Sequence, residues 1–155
     1  MKIARKAKPK PRSGHSKLSL ELKVMLAADP HVIDPVVQSV MKTIRGLQCF
    51  RGKDDAVELA LSEALANAVV HGAKSDHSKI VECDVLCDPT QGIVLIVRDP
   101  GTGFVVDKVP DPLRGENIFS THGRGIYLIN QLMDEVQFLR NGAEIRMVKK
   151  VTVKK

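Results

Sequence analysis

Glu63, Asn67 and His71 lie four residues apart in the run Ser62-Glu63-Ala64-Leu65-Ala66-Asn67-Ala68-Val69-Val70-His71-Gly72. On a helix, at about 100° per residue, they form one narrow polar stripe. Ala60, Leu61, Ala64, Leu65, Ala68 and Val69 cover the adjoining apolar face. A carboxylate at the edge of a packed face is costly to desolvate unless something pairs with it. Alone, such a stripe could be a helix edge meeting water. Two Gly-containing segments downstream argue for more.

The first is Asp99-Pro100-Gly101-Thr102-Gly103-Phe104, directly after an apolar run. An Asp at a sheet end can accept a hydrogen bond from an exocyclic amine, and the glycines let a planar base approach the backbone. By itself the segment also reads as a turn after a strand. The second is Thr121-His122-Gly123-Arg124-Gly125-Ile126, a Gly-rich turn into a helix. Free backbone N–H groups and the helix dipole favour phosphate there, and Arg124 can add a charge-assisted contact.

Other chemistries fit less well. A dinucleotide fingerprint fails at Val106, where its third Gly belongs, and no Walker-type phosphate loop occurs. Cys83 falls on an expected strand and Cys87 directly after it, roughly 13 Å apart if the chain stays extended, too far for a shared metal ion or a mutual disulfide. The odd count of three cysteines argues against a disulfide framework.

The pattern predicts the elements that must hold these segments. Leu18–Leu26 alternates as a first strand. Asp29-Pro30 or Asp34-Pro35 opens a helix that ends near Gly46. The acids of Lys53-Asp54-Asp55 suit the start of the long second helix, which ends at His71-Gly72-Ala73. Strands follow over Ser78–Leu86 and Gly92–Arg98, around the turn signal Asp88-Pro89. Residues 104–122 have no clear periodicity, and a loop that long reads as either a functional lid or a disordered segment. Gly123-Arg124-Gly125 then leads into a third helix with Ile126, Ile129, Leu132, Met133 and Val136 inward. Residues 136–140 and 143–150 form a closing hairpin around Arg140-Asn141-Gly142. The order predicts an α+β fold, helices on one face of a mainly antiparallel sheet.

At 155 residues, with 43% apolar residues, one domain with a real core is expected. Aromatics reach only 3%, so stacking platforms for single-stranded nucleic acid are scarce. No membrane span or secretory signal is seen, and the cytoplasm is the default location. The net charge of +6 misleads. Residues 1–17 hold seven Lys or Arg and no acid, and Lys149, Lys150, Lys154 and Lys155 add four. Removing those eleven from the 24 leaves thirteen bases against eighteen acids, about −5 for the body. Residues 1–17 read as a disordered, solvated basic arm ahead of a domain over 18–155, and the pI does not make this a nucleic-acid-binding domain.

Taken together, Glu-x-x-x-Asn-x-x-x-His-Gly on a helix, Asp-x-Gly-x-Gly after a strand, and a lid closing on Gly-x-Gly resemble the Bergerat-type ATPase fold. Histidine kinases, DNA gyrase and MutL share that two-layer α/β sandwich. Within it, the segments around Glu63 and from Gly123 to Val136 are similar to the anti-sigma-factor serine kinases of the RsbW/SpoIIAB type, over about residues 18–150.

The resemblance implies an ATP- and Mg²⁺-dependent protein serine kinase that binds a sigma factor and phosphorylates an anti-anti-sigma antagonist. It implies Glu63 as general base and Asn67 as Mg²⁺ ligand, with Asp99 reading the adenine amino group. Gly101 and Gly103 would shape the base pocket. Gly123, Arg124 and Gly125, with Ile126 beside them, would hold phosphates, and His71 would line the phosphate side. A homodimer is also implied. The competing reading is a nucleotide-regulated partner-binding module without efficient transfer. A detached histidine-kinase domain fits less well, because no dimerisation helix pair with a phosphoacceptor His precedes the fold.

Overall fold

The computed structural model describes residues 2–5, 20–47, 52–103 and 121–151. Strand β1 is Lys2–Arg5 and β2 is Leu20–Ala27. A short 3₁₀ turn, Pro30–Val32, runs into helix α1, Ile33–Ile44. Helix α2, Asp54–Ala66, continues into a π-helical turn, Asn67–Gly72. Strands β3, Ile80–Asp88, and β4, Gly92–Arg98, form a hairpin. Helix α3 is Thr121–Leu132, followed by β5, Glu135–Leu139, and β6, Glu144–Lys149.

Among the described residues the sheet runs β1-β2-β3-β4-β6-β5, and every neighbouring pair is antiparallel. Side chains alternate across it, so one face is apolar. Leu22, Val85, Leu95, Met147 and Val136 stand side by side in one row of that face. Val24, Cys83, Val97, Ile145 and Phe138 form the next. Against these rows pack Val36, Val40 and Ile44 of α1, Val57, Leu61 and Leu65 of α2, and Ile129 of α3. The architecture is α+β in two layers, as expected.

Two of the helix starts have a local cause. The Asp29 carboxylate accepts from the His31 N–H (2.9 Å), and Pro30 takes a position where no N–H is needed. Asp54 and Asp55 occupy the first turn of α2, where the dipole favours acid. Helix α3 begins two residues before Gly123, so the Gly-Arg-Gly segment is its first turn rather than a turn leading into it. Val136 belongs to β5, not to α3, because the helix ends at Leu132.

Two further differences stand out. Lys2–Arg5, expected within a disordered arm, pairs with β2 from Lys2 opposite Met25 to Arg5 opposite Leu22. Its basic composition hid a physical need: without it β2 would expose a long unpaired edge. Residues 6–19 of the arm, and 104–120 of the expected lid, lie outside the described residues. Finally, Cys87 is disulfide-bonded while Cys83 is free. An odd count excludes complete pairing but not one bridge. Burial pushes the Cys83 thiol up to about 12, with Asp84 adding to it against Arg98.

Candidate functional site

The end of α2, the segment after β4, the start of α3 and the β5–β6 connection surround one cavity of about 540 Å³. That size suits a nucleotide-like ligand, which typically needs a few hundred cubic ångströms. Asn67, His71, Asp99, Gly101, Gly103 and Ile126 all line it. Three segments far apart in the chain therefore share one space.

Glu63 lies next to Asn67, which is part of this lining. Gly125 is buried at the start of α3, and a Cβ added there would lie 2.9 Å from Glu63 Oε2. It would lie 3.4 Å from both terminal atoms of the Asn67 amide. Glu63 and Asn67 thus converge on the bare face of Gly125. Glu63 itself is half-buried and is not among the described lining residues; neither is Arg124, which is exposed. Gly123 contributes backbone to the first turn of α3.

The helix carrying Asn67 does not end as an ordinary helix. The Ala73 N–H donates to the Ala68 carbonyl (2.8 Å), and the Ser75 N–H to that of Val69 (2.8 Å). Such a widened turn changes the angle between successive side chains, yet Asn67 and His71 still line the same cavity. Lys74 and Ser75 then take left-handed backbone conformations, with φ of 52° and 53°, which reverse the chain toward β3.

Asp99 is fixed from several sides. Its N–H donates to the Ala143 carbonyl (2.9 Å), and its Oδ1 accepts from the Gly101 N–H (2.7 Å). One residue earlier, on the opposite sheet face, Arg98 bonds Glu144 (2.6 Å) and Asp84 (2.7 Å) and braces the strand end. Burial pushes the Asp99 carboxyl above its ordinary value, against the pull of the Gly101 N–H and the Arg140 guanidinium. A half-buried acceptor at the wall of a cavity is suited to a hydrogen-bond donor on a ligand.

Gly103 closes this wall. Its φ is 83°, and a Cβ there would overlap the Asn141 carbonyl, whose carbon is 2.6 Å away. The glycine segment is thereby seated on the Arg140–Gly142 turn. Sequence reasoning missed that turn's part in the site, along with Lys74, Lys79 and Phe138 on the cavity wall. Phe138 stands opposite Ile145 on the inward sheet face, so its alternation within β5 was the available signal. The two lysines had none, since only the chain reversal brings them to the cavity.

Sequence comparison relates this chain to known proteins. The anti-sigma F factors of Bacillus cytotoxicus and Bacillus cereus are each 30% identical over 98 residues, which cover 60% of this chain and 66% of theirs. That of Bacillus thuringiensis is 29% identical over the same length. The chain spans just under two thirds of the length of these relatives. Residues 26–149, which run from the end of β2 to the end of β6 and hold every wall of the cavity, match the histidine kinase-like ATPase domain, and the chain belongs to that family.

Proposed function

We propose that this protein is an anti-sigma factor and an ATP- and Mg²⁺-dependent protein serine kinase. It would bind a sigma factor and phosphorylate an anti-anti-sigma antagonist on serine. The observation that carries the reading is the convergence of Glu63 and Asn67 on Gly125, beside a cavity whose wall holds Asp99. The likeness to anti-sigma F factors supplies the partner class.

Each residue has a task. Asp99 Oδ2 accepts from the amino group of adenine, while Gly101 and Gly103 leave room for the flat base. Asn67 offers its amide oxygen to magnesium. Among the described residues no cluster of three His, Cys, Asp or Glu could hold a metal; phosphate oxygens and water would supply the other ligands. Magnesium there would neutralise charge on the phosphates. The first turn of α3, with Gly123, Arg124 and Gly125, faces phosphate with unpaired N–H groups, and His71 adds a donor. Glu63 takes the proton from the serine hydroxyl as its oxygen bonds the γ-phosphorus and ADP departs. Homodimerisation accompanies this reading and is tested by sedimentation of the purified chain.

One observation favours a second reading. Glu63 lies against Gly125 and outside the described cavity lining, which suits a nucleotide-regulated binding module without efficient transfer. The deciding experiment incubates the purified protein with ATP, Mg²⁺ and the antagonist. Phosphoserine on the antagonist supports the kinase. An ATP-dependent complex without transfer supports the module, and absence of ATP binding overturns both.

A further inference from the structure

We propose that Gly72 is a positioning residue for base recognition: it holds the Asp99 carboxylate where it can read an exocyclic amine. This rests on the reading of the cavity as an ATP site. Gly72 ends the π-helical turn, and its backbone is not left-handed. Its lack of a side chain therefore answers a packing need rather than a conformational one. A Cβ added at Gly72 would meet the Asp99 carboxylate, at 2.6 Å from Oδ1 and nearer still to Cγ and Oδ2. No atom fits there, so the carboxylate occupies the space a side chain would fill.

The surroundings determine what gives way when a methyl is added. The helix end cannot retreat freely: Ala73 beside it is fully buried, and its N–H is bonded back to Ala68. It cannot advance either, because the Gly72 carbonyl oxygen is only 2.5 Å from where a Cβ on Gly101 would project. Helix end and glycine segment are thus in direct backbone contact. Asp99's own backbone is tied to Ala143, whereas among the described residues its side chain accepts one hydrogen bond, from the Gly101 N–H to Oδ1, beside the longer-range pull of Arg140. The carboxylate is the softest element in the contact. An alanine at 72 swings it away, breaking the Gly101 bond and withdrawing Oδ2 from the base. The fold persists, while discrimination between amino and oxo purines is lost.

The test measures ATP and ITP affinity by calorimetry for the wild type, Gly72→Ala, Asp99→Ala and the double variant, alongside nucleotide-free melting. ITP carries an oxygen in place of the amine. The wild type prefers ATP; Gly72→Ala weakens ATP roughly tenfold to a hundredfold, the worth of a hydrogen bond to a charged group, and ITP much less. In the Asp99→Ala background, where the clash is absent, adding Gly72→Ala changes ATP affinity by less than about twofold, the non-additivity expected of residues in contact. That background also keeps the test valid if Gly72→Ala alone fails to fold. An unchanged ATP-over-ITP preference in Gly72→Ala, or a full additional loss in the double variant, overturns the proposal. A wild type that binds ATP but not in preference to ITP overturns it as well. A wild type that binds no ATP overturns the nucleotide reading itself.

Discussion

Glu63 Oε2 lies 2.9 Å from the point at which a Cβ of Gly125 would stand, so the carboxylate of α2 rests on the bare backbone of α3. The oxygen is the free end of a flexible side chain, and it would move before either helix did. Gly125→Ala is therefore expected to displace Glu63 without unfolding the protein. If Glu63 is the general base, both Gly125→Ala and Glu63→Gln lower antagonist phosphorylation by roughly 100-fold or more. Glu63→Gln should leave ATP affinity within about threefold, since it removes proton transfer rather than binding. Single-turnover transfer and nucleotide titration separate the two quantities. Full-rate transfer by Glu63→Gln removes Glu63 from this role.

Asn67 presents its amide to the same face of Gly125 and to the cavity. As the proposed magnesium ligand, it should matter only when the metal is present. Thermal stabilisation by ATP in Asn67→Ala is expected to fall to the magnesium-free level of the wild type. A tenfold loss of affinity lowers ligand stabilisation by about 1.4 kcal/mol at high ATP excess. Equal magnesium dependence in variant and wild type would contradict the assignment.

Asp99 couples stability to pH in the direction opposite to most carboxylates. Burial holds its folded-state pKa above the ordinary 3.8, so the native state binds its proton more tightly than the unfolded state does. Its contribution is most favourable below 3.8 and is lost as pH rises through the folded-state value. Asp99→Asn removes the cost of ionisation at neutral pH. The variant without nucleotide should melt no lower than the wild type at pH 7, yet bind ATP roughly tenfold or more weakly. Melting curves at pH 4 and pH 7 check the sign, and a variant less stable at pH 7 alone would reverse it.

Asp88 behaves in the ordinary sense. Burial would raise its pKa, but donors from the Thr90 N–H (2.8 Å), the Thr90 hydroxyl (2.7 Å) and the Gln91 N–H (3.3 Å) hold it below 3.8. Its stabilisation is present above 3.8 and is lost as pH falls through the lower folded-state value. Asp88→Ala should cost about 1–3 kcal/mol at pH 7, measured by urea denaturation, and less in acid. An equal cost at both extremes would mean that the turn is held by shape alone.

Much of this was legible in the chain. Gly92–Arg98 is a strand with the expected bounds because its apolar run is framed by a turn signal and an Asp-Pro pair. Asp54 and Asp55 marked the start of α2 through the dipole. Other features depended on partners the pattern does not display. Lys2–Arg5 becomes a strand because β2 has an edge to cover, a property of the sheet rather than of four basic-rich residues. The helix after Ala66 widens into a π turn although its residue types suit an ordinary helix.

By itself the sequence determined the kinds of chemistry and their local frames: a carboxylate and an amide one helical turn apart, an acid at a strand end, glycines at a helix start. Those follow from side-chain types and from the periods of helix and strand, which act over a few residues. Only the tertiary structure decided which groups meet. It set Gly72 against Asp99, Gly125 against Glu63 and Gly103 against Asn141. Such contacts arise between segments remote in the chain, where close packing leaves no room for even one additional carbon.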